Sequence, residues 1–140
     1  MKNIDLFNDY TASVLSELYT HFPVKRSIDA RTLCGHTDRD DFGGIVDADG
    51  RPSKAFEIAC GTIEWLGDSG YLTYASRTPC AFVNVVLTPK GLSLLKSSPD
   101  ALRSKDTLGE RLLRFVTEGS KELARDAVKA VITAAVTGGA

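Results

Sequence analysis

Cys34-Gly35-His36 sets a thiol and an imidazole two residues apart, the closest approach in the chain to a soft metal or nucleophile site. Cys60, Cys80 and His21 are the donors that zinc would have to add. Structural zinc takes four ligands, usually in paired short spacings, and these donors are scattered. Cys60 and Cys80 therefore read as small core residues, and Cys34 as a residue near a helix end. Nucleophilic catalysis by a Cys–His pair needs a third group to orient the base, and none is identifiable. Asp47-Ala48-Asp49-Gly50 has the start of a calcium loop, but Ile45 and Phe56 stand where that loop needs its other acids. An Asp-rich turn bonded to its own backbone accounts for it. Asp41-Phe42-Gly43 matches a kinase tripeptide without the glycine-rich or catalytic loop that gives it meaning. No phosphate-binding loop occurs. The expectation is a protein without catalytic residues, metal or cofactor.

The remaining chemistry is charge. The chain carries 17 basic and 18 acidic residues, net -1. Residues 1–50 hold five bases and nine acids, residues 51–100 five and four, and residues 101–140 seven and five. A general nucleic-acid coat would be far more basic. A local basic patch remains open, and its candidate members are Arg51, Lys54, Arg77, Lys25 and Arg26. Length and composition bound the rest. With 140 residues, 43% apolar and 25% charged, the chain is near average for a soluble globular domain. No apolar run is long enough to span a bilayer, and MKNIDLFNDY lacks the apolar core of a secretory signal. Three widely spaced cysteines fit reduced thiols, and the expected location is cytoplasmic.

The elements that must position these residues follow from periodicity. Ile4, Phe7, Val14, Leu15, Leu18 and Phe22 recur at three- and four-residue steps, predicting a helix over 4–22. Residues 27–35 read as a short second helix, capped by Ser27 or Asp29 and ended by Gly35. Residues 36–52 hold five Asp, three Gly and one Pro and read as loop, with Ile45-Val46 as a brief strand or anchor. Ser53 caps a third helix over 53–69, ended by Gly70. YLTYAS (71–76) and AFVNVVL (81–87) form a β-hairpin around Arg77-Thr78-Pro79-Cys80. Thr88-Pro89 opens a fourth helix, and Ser98-Pro99 closes it. Thr107 and Glu110 form a capping box for a last helix, which Gly119-Ser120 bends or splits.

Two phrases in this order resemble the winged helix-turn-helix superfamily. Its third helix commonly ends in Trp/Phe-Leu followed by Gly-Tyr-Leu/Ile, as do Trp65-Leu66 and Gly70-Tyr71-Leu72. Its wing commonly returns through Leu-Thr-x-Lys-Gly, as does Leu87-Thr88-Pro89-Lys90-Gly91. The resemblance is strong over 53–95 and looser over 1–100. It implies a mostly α fold with a small β-hairpin wing over residues 1–100, plus an added C-terminal helical extension over 101–140. In the superfamily's common docking mode the third helix enters the major groove of double-stranded DNA. Arg51 and Lys54 would then reach guanine edges or phosphate. Arg77 would meet phosphate or the minor groove at the wing tip, and Lys25 and Arg26 the backbone. The implied function is a DNA-binding transcriptional regulator. Two features oppose it. Glu57, Glu64 and Asp68 share the third helix with Lys54. About seventeen residues also separate Gly35 from Ser53, where a compact motif uses ~3–4. The alternative is a winged-helix module that binds protein and no DNA.

Trp65 reads as packed under the wing or against the C-terminal helix, or else as an interface anchor. The last helix carries Leu112, Val116, Leu123, Ala127 and Val131 on one stripe, with small residues that allow close approach. Pairing of this stripe between two copies predicts a homodimer; folding back onto the first helix is its single-chain counterpart.

Overall fold

The computed structural model describes residues 3–34, 53–97, 107–119 and 121–136, with backbone alone for Val116 and residues 121–125. The first apolar stripe folds as helix α1, Asn3–His21. Tyr10, Val14, Leu15 and Leu18 turn into the core, while Ile4 and Phe22, at the ends of the expected stripe, stay exposed. A cis Phe22–Pro23 bond follows the helix.

The expected helix over 27–35 is corrected. Its first part is strand β1, Arg26–Asp29, and only Ala30–Leu33 form helix α2. Ile28 is buried, and Asp29 does cap α2, its carboxylate accepting the Arg31 amide hydrogen at 2.8 Å. A four-residue strand has too few positions to show a period of two. It exists because a distant strand supplies its hydrogen bonds.

Helix α3, Lys54–Asp68, starts where Ser53 Oγ accepts the Phe56 N–H at 3.2 Å. It buries Ala59, Cys60, Thr62, Ile63 and Leu66. Gly70 follows at φ 86°. The first expected hairpin strand is broken into β2, Leu72–Thr73, and β3, Ser76–Arg77. Between them Tyr74 turns its ring edge-on to Phe82, centroids 4.9 Å apart. The long strand β4, Ala81–Leu87, is the centre of the sheet: β1 pairs with one edge, β2 and β3 with the other, all antiparallel. Arg26 faces Val85 and Ile28 faces Phe82, so β4 spends one extra residue there. Asn84 absorbs this bulge at φ 55°, a left-handed conformation that Asn tolerates better than most residues.

Helix α4, Pro89–Lys96, opens with the expected Thr88 cap and Pro at its first turn. A side chain at Gly91 would run into the backbone of Tyr71, so glycine lets α4 lie directly on the turn before β2. Helix α5, Leu108–Glu118, carries the Thr107–Glu110 capping box. Gly119 at φ 70° ends it, and helix α6, Lys121–Val136, follows. The last helix is thus split. The two pieces complete one hydrophobic core with α1 rather than standing apart. Ser16 Oγ donates to the Leu112 carbonyl at 3.1 Å, tying α1 to α5. Leu108, Leu112, Ala127 and Val131 are fully enclosed, and each large apolar side chain buried this way contributes ~1.5–3 kcal/mol. The fold is mostly helical with a small antiparallel sheet.

Candidate functional site

Four of the five expected basic residues are among the described residues, on α3, on β3 and at the start of β1. Arg51 lies outside the described residues, as do the Asp-rich 36–52 segment and Ile45-Val46. Lys54 is exposed on the first turn of α3. Arg77, on β3, donates from Nη1 to Glu64 Oε1 at 2.9 Å and lies 4.7 Å over the Phe82 ring. Burial works against its charge, but the Glu64 bond and field outweigh it and hold the guanidinium pKa above its ordinary value. Arg26, on the opposite edge of β4, is 3.2 Å from Glu17 of α1. Lys25 is exposed beside it. Lys54 and Glu64 are ten residues apart on α3, so the anchor of Arg77 sits ~15 Å along the helix from Lys54.

Beyond Lys54, the charge that α3 presents to solvent is acidic. Glu57, Gly61, Glu64 and Asp68 follow at steps of four, three and four, which sets them on one face. Glu64 is held by Arg77. Glu57 and Asp68 have no ion-pair partner among the described residues.

Next to this acidic stripe, α3 carries a second apolar edge that the sequence reading missed. Ile58, Gly61 and Trp65, at steps of three and four, face the first turns of α1. With Asn3, Ile4, Phe7 and Thr62 they line an almost wholly apolar groove of about 370 Å³. Trp65 is partly buried against the core, and its ring meets Phe7 of α1 edge-on at 5.3 Å and 88°. The available signal was a second 3–4 spacing on α3, interrupted by a glycine.

The expected dimer stripe is placed differently from its reading between copies. Leu112, Ala127 and Val131 are 0% exposed within a single chain. Their apolar faces are spent on this chain's own core, against α1. The side chains of Val116 and Leu123 are outside the described set.

A second cavity, about 380 Å³, lies between α1, β1 and α2 and contains Glu17 and Asp29. Both carboxylates are already engaged, Glu17 by Arg26 at 3.2 Å and Asp29 by Arg31 at 2.8 Å. All three cysteines are free thiols. Burial pushes the Cys60 thiol pKa up, with Arg77 pulling the other way. Cys34 Sγ donates to the Arg31 carbonyl at 3.4 Å. His36 lies outside the described residues, and among those described no three His, Cys, Asp or Glu side chains are arranged to hold a metal ion. Nor is any described helix long and apolar enough to cross a membrane. Comparison with protein-family models, curated proteins and solved structures gave no match.

Proposed function

We propose that this chain is a winged helix-turn-helix module that works by binding another protein, without reading DNA and without catalysis. The winged-helix assignment is supported by the element order and by β1 lying against the returning strand β4. The Thr88–Gly91 return, packed on Tyr71, supports it further. One observation carries the choice of partner: the outer face of α3 bears Glu57, Glu64 and Asp68 against the single base Lys54. A recognition helix lying in the major groove would bring those carboxylates toward phosphate. Arg77 and Arg26 are each neutralised by a carboxylate of the same chain. Binding through the few remaining bases would be weak, with a salt slope of only ~0.9 per phosphate contacted.

The test is selection from a random duplex pool at ~0.15 M salt, where weak electrostatic binding fades. The expected result is no enriched sequence. A twofold-symmetric motif whose binding is lost in Lys54→Ala would overturn the proposal and establish the DNA-binding regulator instead. The positive arm is a saturable protein partner that survives nuclease treatment and is weakened when Glu57 and Asp68 are both changed to Lys.

A further inference from the structure

We draw no further inference here: the strongest candidate, the apolar groove between the first turns of α1 and the outer edge of α3, lined by Ile4, Phe7, Ile58 and Trp65, carries nothing, because nothing in the structure shows what covers it.

Discussion

Arg77 and Glu64 join the hairpin to α3: the guanidinium reaches the carboxylate at 2.9 Å while lying over the Phe82 ring. The pair ties the one base of the hairpin to a carboxylate of the same chain. The two side chains are 36% and 47% exposed, so their coupling in a double-mutant cycle is expected at only ~0.5 kcal/mol and shrinks in high salt. Arg77→Ala alone should cost more, ~1 kcal/mol, because the ring contact is lost as well. Arg77→Lys should recover the charge and not the flat stacking. Chemical denaturation at low and high salt checks all three. Glu64→Gln releases Arg77, and under the protein-binding proposal duplex affinity stays negligible even then.

Gly91 tests how α4 is seated. Its missing side chain lets the helix rest against the backbone of Tyr71, and the Thr88 N–H donates to the Tyr71 carbonyl at 3.1 Å. Backbone cannot rotate aside as a side chain does, so Gly91→Ala must push α4 away from the sheet. The expected loss is ~3 kcal/mol, the upper range for overpacking, read as a lower denaturation midpoint. An exposed control on the same helix, Ser93→Ala, should change stability by less than ~0.5 kcal/mol.

Local chemistry was legible in the sequence; long-range pairing was not. Ser53, Thr88 and the Thr107–Glu110 box cap the helices they were expected to cap, because a cap is decided within four residues. β1 was misread as helix since its bonds come from β4, more than fifty residues on. The stripe through Leu112, Ala127 and Val131 was legible as apolar, yet its reading between copies and the observed packing on α1 demand the same periodicity. Sequence alone does not separate them. The groove escaped for the same reason: Ile4 and Phe7 belong to one helix, Ile58 and Trp65 to another. On α3 alone, the spacing of Ile58, Gly61 and Trp65 was its only trace in the sequence.

Asp29 gives the chain an acid-sensitive joint. The side-chain bond from Arg31 holds its carboxyl below the ordinary value of 3.8, against a smaller opposing effect of burial, and the Arg31 amide adds to the lowering. A carboxylate with a depressed folded pKa stabilises the fold above the unfolded value, and this is lost as pH falls through the folded one. The advantage of the parent over Asp29→Asn should therefore be full at about pH 5 and shrink by about pH 3. Thermal melts of both proteins across that range measure it. A constant difference would mean that capping geometry alone, and not ionisation, is what Asp29 supplies.

Thr11 is 0% exposed on α1, and its hydroxyl has no hydrogen-bond partner among the described residues. An unpaired buried hydroxyl has left water without compensation, at a cost of roughly 1–3 kcal/mol. Valine has the same branched shape, and both residues are similarly restricted in a helix. Thr11→Val is thus expected to stabilise the chain by ~1 kcal/mol, which for this length raises the melting temperature by about 3 °C. Thr11→Ser keeps the hydroxyl and deletes a methyl, so it should destabilise by ~1 kcal/mol. Opposite signs for two such similar changes cannot arise from helix propensity. If valine instead destabilises, the hydroxyl is bonded in solution and the α1 packing around it is wetter than it stands. Thr11 lies one turn beyond Phe7 and does not line the groove.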